Sequence, residues 1–306
     1  MPDKPAAEVA IDAALVRSLV AGQALEKIPD AASLALMKVA EGWDNEVWRL
    51  GDELAVRLPR RAPAAPLVRN EQRALPAIAE RLRPTGVRVP APLLAGVPTD
   101  AYPWAWSIVP WIAGVRGLDV VRAERAPWAA PLAAALAALH VAAPDDHPIN
   151  PVRGVPLGRR DTVFHERLAA LRGAGTIGDT SAEALRDRWI RGVEAPSWVD
   201  DPVWIHGDLH PGNLVAEEGT LVGIIDFGDV TAGDPAYDLA VAWLAFDQAG
   251  RRLFRAATAT RYDSATWVRA RAWAAAVVVM FLTHSDDEPA YAALARAAAI
   301  EVIGDD

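Results

Sequence analysis

IHGDLHPGNL, residues 205–214, followed by GIIDFGD, residues 223–229, decides how this chain is read. It places a carboxylate at Asp208, an amide five positions on at Asn213, and a second carboxylate, Asp226, after a hydrophobic run. Phosphoryl transfer asks little covalent chemistry of a protein, because the rate comes from aligning the acceptor with the γ-phosphate and neutralising charge with metal. The parts required are one carboxylate to orient a hydroxyl and hard oxygen ligands for Mg²⁺. Asp208, with an ordinary pKa of ~3.9, is ionised at neutral pH and can accept a hydroxyl proton without special tuning. Asn213 and Asp226 offer the oxygens Mg²⁺ prefers, leaving its other positions to phosphate and water. Two short loops at the ends of buried strands would bring the three together.

Working outward, 306 residues of which 52% are hydrophobic can bury a large core, in two domains or one bilobal unit. The absence of cysteine rules out disulfides and thiolate metal sites and fits a cytoplasmic location. MPDKPAAEVAIDAAL carries no basic region leading into an apolar run, so no secretion signal is expected. The longest apolar run, Ala272 to Leu282, has 11 residues and reads as a buried helix, so no membrane partner is expected. A net charge of −9 argues against nucleic acid as a partner and would steer cationic ligands inward, or simply keep the protein soluble. No internal repeat or low-complexity tract stands out beyond Ala enrichment.

Residues 8 to 28 carry apolar positions at helical spacing and predict a helix outside the main sheet. SLALMKVA, the turn EGWDN, EVWRL and ELAVRL to Pro59 predict three antiparallel strands. In the third, alternation puts Ala55 and Arg57 on one face. The small residue leaves room for a flat ring, and the cation two positions on can reach phosphates; the plain alternative is an exposed surface arginine. LVRNEQRALPAIAERLR predicts a helix interrupted at Pro76, with Glu71 placed to pair with Arg57 or to face solvent. VRVPAPLLAG and PWAWSIVPWIAG predict two further strands. At the exit of the second, Pro110 can only accept a hydrogen bond while Ile112 can donate one, a pattern suited to the edge of an adenine ring.

Residues 127 to 142 predict an Ala-rich helix, 160 to 191 two more around the loop GAGTIGDT, and AYDLAVAWLAF, TWVRARAWAAAVVVMFL and EPAYAALARAAAI three after the central motifs. The second half is therefore mostly helix. The twelve tryptophans, Trp43, Trp104, Trp106, Trp111 and Trp243 among them, are expected mainly in the core, with stacking on a ligand as the other use.

HGDLHPGN combined with IIDFGD resembles the aminoglycoside phosphotransferase family, within the wider protein-kinase-like superfamily. The resemblance reaches back through LAVR, Glu71 and VPWIAG and forward through GDPAYDLA, covering about residues 34 to 245. It implies an α+β bilobal fold: a five-stranded antiparallel N-terminal lobe with one main helix (residues 1–110) and a mostly helical C-terminal lobe (111–306). It further implies Asp208 as catalytic base or orienting group, Asn213 and Asp226 as Mg²⁺ ligands, and Glu71 positioning Arg57. The Pro110 carbonyl and Ile112 N–H would hold adenine, Asp238 would buttress the catalytic loop, and His206 would be its structural histidine. The donor would be ATP or GTP and the acceptor a small-molecule hydroxyl, foremost an aminoglycoside-type antibiotic and so a cationic one, handled by a monomer. A macrolide, another natural product or a metabolic alcohol stays open as acceptor.

The chain departs from the family in two places. Arg57 stands where most relatives have lysine, a bulkier fork with permanent charge, and EGWDN has one glycine, Gly42, in place of a glycine-rich phosphate loop, with its backbone amides still expected to cap nucleotide phosphates. Three other readings compete. A protein kinase would usually carry an arginine at Gly207 and a lysine at His210, and only 12 positions separate Asp226 from Asp238, too few for a long activation loop. A metallohydrolase is suggested by His206-x-Asp208-x-His210 but leaves Asn213 and Asp226 unused. A nucleotide-binding protein without catalysis, suggested by Arg57, leaves Asp208 unexplained. Near the C-terminus Asp286, Asp287 and Glu288 could meet substrate amines or simply begin a solvated helix.

Overall fold

The computed structural model describes residues 5–285 and 288–304, so Asp286 and Asp287 lie outside the described residues. The chain divides into two units: residues up to Arg83 with Arg88–Ala113, and Pro84–Val87 with Gly114 onward.

The first unit is a five-stranded antiparallel sheet with one helix before its first strand and one between its third and fourth. Its elements are α1 (Ala13–Gln23), β1 (Leu36–Glu41), β2 (Asn45–Leu50), β3 (Leu54–Pro59), α2 (Ala65–Leu82), β4 (Leu94–Gly96) and β5 (Trp106–Pro110), with strand order β1-β2-β3-β5-β4. Asp12 caps α1, its Oδ1 accepting from the Leu15 N–H at 2.8 Å, so the helix begins later than the apolar spacing predicts. Val16, Leu19 and Val20 of α1 share one core cluster with Leu50, Val56, Leu58, Trp106 and Ile108 of the sheet. The N-terminal helix therefore seals one sheet face. α2 runs unbroken through Pro76, in contrast to the expected interruption. A proline removes one helical hydrogen bond, and the buried stripe Val68, Glu71, Leu75, Ile78 and Leu82 anchors the helix on both sides of it.

The second unit is mostly helical, with two small sheets. It comprises β6 (Val115–Arg116), α3 (Ala129–Leu139), α4 (Asp161–Gly173), α5 (Asp179–Glu194), β7 (Val203–Ile205), β8 (Leu214–Glu217), β9 (Thr220–Ile224) and β10 (Thr231–Gly233). The remaining helices are α6 (Ala236–Leu239), α7 (Val241–Ala245), α8 (Gln248–Ala257), α9 (Ser264–Thr283) and α10 (Pro289–Ile303). AYDLAVAWLAF thus folds as two short helices, and α8 is a helix that the apolar spacing does not announce. α8 is fastened by polar contacts: the Asp247 side chain caps it, and buried Arg251 pairs with Glu301 of α10 at 2.7 Å.

α9 extends the 11-residue apolar run to 20 residues, long and apolar enough by length and composition to cross a membrane, and 67% of its most apolar stretch is buried inside the protein. It packs on α4, α5, α6 and α10 as the unit's central helix. Trp106, Trp128, Trp189 and Trp243 are fully buried, while Trp43 in the β1–β2 turn is 43% exposed.

Candidate active site

Two strand pairings clamp the central motifs. β7 pairs with β10 through Ile205 and Thr231, and β8 pairs with β9 through Leu214 and Ile224. The loops 206–213 and 225–230 are thereby tied at both ends, with the Ile225 N–H donating to the Asn213 carbonyl at 2.9 Å. Short loops between fixed strand ends have little freedom, and the polar side chains they carry converge.

Within the first loop, Asp238 from α6 acts as the buttress. Fully buried, it accepts from the backbone N–H of His206 at 2.7 Å and of Gly207 at 3.1 Å, and lies 3.1 Å from His140 Nε2. His206 Nδ1 accepts from the Asp208 N–H at 3.1 Å, so its Nε2 carries the proton and donates to the Ile225 carbonyl at 2.9 Å, stitching one loop to the other. Both ring nitrogens are spent, which leaves the His-x-Asp-x-His run no zinc donor from His206. Among the described residues no cluster of three His, Cys, Asp or Glu could hold a metal. His210 Nδ1 accepts from the Gly212 N–H at 3.0 Å, placing a proton on Nε2, 3.4 Å from the Asp208 carboxylate.

Gly207 has φ +82°, and a Cβ there would sit 2.4 Å from the Asp229 carbonyl oxygen. An arginine of the protein-kinase kind has no room.

Asp208 is held by a residue the sequence does not single out. Arg153, in the stretch between α3 and α4, places Nη2 3.1 Å from Asp208 and 3.2 Å from Asp229, and its Nη1 donates to the Tyr237 hydroxyl. Asn150 anchors the same arrangement, donating to Asp229 at 2.7 Å and accepting from the Arg153 N–H at 3.0 Å. Burial pushes the Asp208 carboxyl up, but the Arg153 guanidinium and then His210 outweigh it and hold the group well below the usual carboxylate range. Burial and the neighbouring Asp208 charge push Asp229 the other way, above that range, despite Arg153. Tyr237 is raised to about 12, by burial foremost, and stays a neutral phenol. Tyr291 of α10 is likewise raised to about 12 by burial and by the Asp208 and Asp226 charges, which puts it in the field of both carboxylates.

The oxygens suited to a divalent cation fit as well. The Asn213 Nδ2 donates to the Asp208 carbonyl at 2.8 Å, so the amide oxygen is left as an acceptor with no donor among the described residues. Asp226 is exposed and sits at φ +64°, a conformation costing a non-glycine residue of order 1 kcal/mol, the kind of strain that accumulates at ligand sites. One amide oxygen and one carboxylate make a sparse donor set, as Mg²⁺ binding beside phosphate requires.

In the sheet unit, Arg57 is buried and its Nη2 meets buried Glu71 of α2 at 3.0 Å, so it is not a surface arginine. Ala55 is also buried, opposite Val109. The Trp111 N–H donates to the Glu53 carbonyl at 2.6 Å, which makes the next pair, Leu54 and Pro110, a non-hydrogen-bonded one. The Pro110 carbonyl therefore points away from β3. The Ile112 N–H has no partner among the described residues. Gly42 differs from the expectation of a phosphate-capping amide, because its N–H donates to the Asn45 carbonyl at 2.9 Å and closes the β1–β2 turn.

Sequence comparison places these motifs in a family. A model of the phosphotransferase enzyme family matches residues 35–273. Among solved structures, the chain is similar to aminoglycoside 2'-phosphotransferase-IIIa in its GDP complex, at 17% identity and a TM-score of 0.70 over 95% of this chain and 99% of that one. It is similar also to an aminoglycoside phosphotransferase solved with GDP and kanamycin, at 18% and 0.66 over 94% and 98%. A third likeness is to macrolide 2'-phosphotransferase MphH from Brachybacterium faecium, at 20% and 0.59 over 96% and 98%. At such identities the structures establish the α+β kinase-like fold, a five-stranded antiparallel sheet followed by a mostly helical part. The family match runs across Arg57, Asp208, Asn213 and Asp226 together, and this chain belongs to the phosphotransferase enzyme family as a small-molecule phosphotransferase.

Proposed function

We propose that this enzyme transfers the γ-phosphoryl group of ATP or GTP to a hydroxyl of a small molecule, with Asp208 orienting that hydroxyl and taking up its proton. The observation that carries the reading is the state of Asp208: ionised, within a clamped loop, and 3.1 Å from the half-buried Arg153 guanidinium. In the transfer the acceptor O–H bond breaks and its oxygen bonds to phosphorus, while the bond to the departing nucleoside diphosphate breaks. The proton passes to the Asp208 carboxylate. Asn213 Oδ1 and Asp226 would hold Mg²⁺, which when bound neutralises charge on the triphosphate. Arg57, aimed by Glu71, would meet phosphate oxygens, and the Pro110 carbonyl and Ile112 N–H would receive the base edge.

Aminoglycoside and macrolide acceptors enter through the enzymes this chain resembles, and neither class is singled out by the residues around Asp208. The direct test is nucleoside-diphosphate release with both nucleotides over aminoglycosides, macrolides, hydroxy acids and neutral alcohols. In Asp208→Asn, kcat should fall by roughly 10²–10⁴-fold, the usual weight of a general base, with nucleotide affinity nearly intact. Unchanged kcat would sink the role given to Asp208.

A further inference from the structure

A cavity inside the helical unit is linked to Asp208 through one shared side chain, and its walls carry an unexpected charge. Arg153, which touches Asp208, lines it, and so do Arg160 and Arg167. Arg160 precedes α4 and Arg167 lies two turns along it, so spacing of seven residues puts both on the helix face that also presents Phe164. The opposite wall is α9, where Trp273 and Met280 repeat the same spacing. The cavity is thus a groove between two helix faces, with apolar side chains from both and with Arg153 in its wall.

Arg153 is neutralised by Asp208 and Asp229 behind it. Arg160 and Arg167 are not: neither side chain has a hydrogen bond or ion pair among the described residues, and no described carboxylate lines the groove. Burial first, and then the Arg160 and Arg153 charges, push Arg167 below its ordinary range, the signature of guanidiniums gathered without an anion. A chain of net charge −9 has acidic residues to spare, and none is placed here. Guanidinium forks recognise planar or tetrahedral oxyanions in a bidentate way, while an ammonium-bearing ligand would face repulsion with no described carboxylate in the wall.

Resting on the phosphotransferase reading above, we infer that this groove receives the acceptor and selects a hydroxylated molecule with an apolar body and an oxyanion, a carboxylate or a phosphate, bound by Arg160 and Arg167. The overall acidity that would steer cations inward is overridden locally at the place where the acceptor sits.

The test uses four probes on one scaffold: hydroxymethyl-naphthoate, its methyl ester, the matching aminomethyl compound, and hydroxymethyl-naphthyl phosphate as the tetrahedral arm. Calorimetry on the full chain should show the carboxylate or the phosphate binding at least tenfold tighter than the ester, and the amine weakest. Whichever anion binds tighter identifies the source. The variant Arg160→Gln/Arg167→Gln should lose the preference while binding nucleoside diphosphate as before. Equal binding of all probes, tightest binding of the amine, or an anion preference that survives in the double variant would overturn the assignment. Diphosphate release is read in parallel, with the antibiotic panel included. Anion-selective binding with no transfer to any acceptor would uphold the groove and count against the phosphotransferase reading; rapid transfer to aminoglycosides with no anion preference would do the reverse.

Discussion

Two arginines, one in each unit, meet carboxylates in opposite ways. Arg57 and Glu71 form a closed pair, with side chains only 9% and 4% exposed and one charge of each sign. Arg153 is shared between Asp208 and Asp229, whose side chains are 28% and 25% exposed, so its cluster carries more negative than positive charge. A closed pair fixes geometry and has no spare charge to lend. A shared arginine divides its field: it outweighs burial at Asp208 but not at Asp229, where burial and the Asp208 charge raise the carboxyl, which is how two aspartates 21 positions apart come to differ in acidity. The first arrangement suits a fixed shelf for phosphates; the second suits a group that must accept a proton.

Breaking the closed pair should cost the most stability. Arg57→Ala would strand Glu71 in the core and lower unfolding free energy by about 3–5 kcal/mol in a denaturant titration. Adding Glu71→Gln should recover more than half of that loss, and a single-variant loss under about 1 kcal/mol would show that the pair is solvated.

Arg153→Gln should cost less, about 2 kcal/mol, because water reaches its carboxylates, and should act on pH dependence instead. The folded-state pKa of Asp208 is lowered, so its stabilisation is fully present above the ordinary carboxylate range and disappears as pH falls through and below that range. Without the guanidinium the pKa rises, and the acid limb of the kcat/KM profile should move to higher pH. An unmoved limb would assign the ionisation of Asp208 to His210 and the loop.

Gly207→Ala should destabilise by about 1–3 kcal/mol through its positive φ and the crowded Asp229 carbonyl, with a larger loss in kcat than in nucleotide affinity, both readable from diphosphate-release kinetics. The smallest effect is expected for Arg57→Lys, which keeps the charge and loses the fork: roughly a tenfold rise in KM for nucleotide or less, with kcat little changed.

How much of this was legible follows the same division. Arg57 and Glu71 are 14 positions apart on adjoining elements, and strand alternation with helical period brings them together on paper. Asp208, Asn213 and Asp226 sit in short loops beside buried strands, where spacing alone fixes proximity. Arg153 reaches Asp208 across 55 positions and Asp229 across 76, from a stretch with no helical or strand period, so no local pattern points at it. The one available signal was the Asn-Pro-x-Arg-Gly turn at residues 150–154, an irregular polar segment in an otherwise helical half. α8 escaped for a related reason: its buried face holds Gly250, Arg251 and Phe254, and an arginine inside breaks the apolar pattern that announces a helix. Tyr291 and the pairing of Arg160 with Arg167 in one cavity wall depend on how helices pack, which one sequence does not encode in its spacing.

The central claim is transfer to a hydroxyl with Asp208 as the orienting base. Phosphorus NMR of the enzyme with Mg²⁺, nucleoside triphosphate and an acceptor that releases diphosphate tests it most directly. A phosphate monoester resonance should grow in step with nucleoside diphosphate, and should be nearly absent with Asp208→Asn. Inorganic phosphate in place of the ester, or an ester formed equally fast by the variant, would contradict the account.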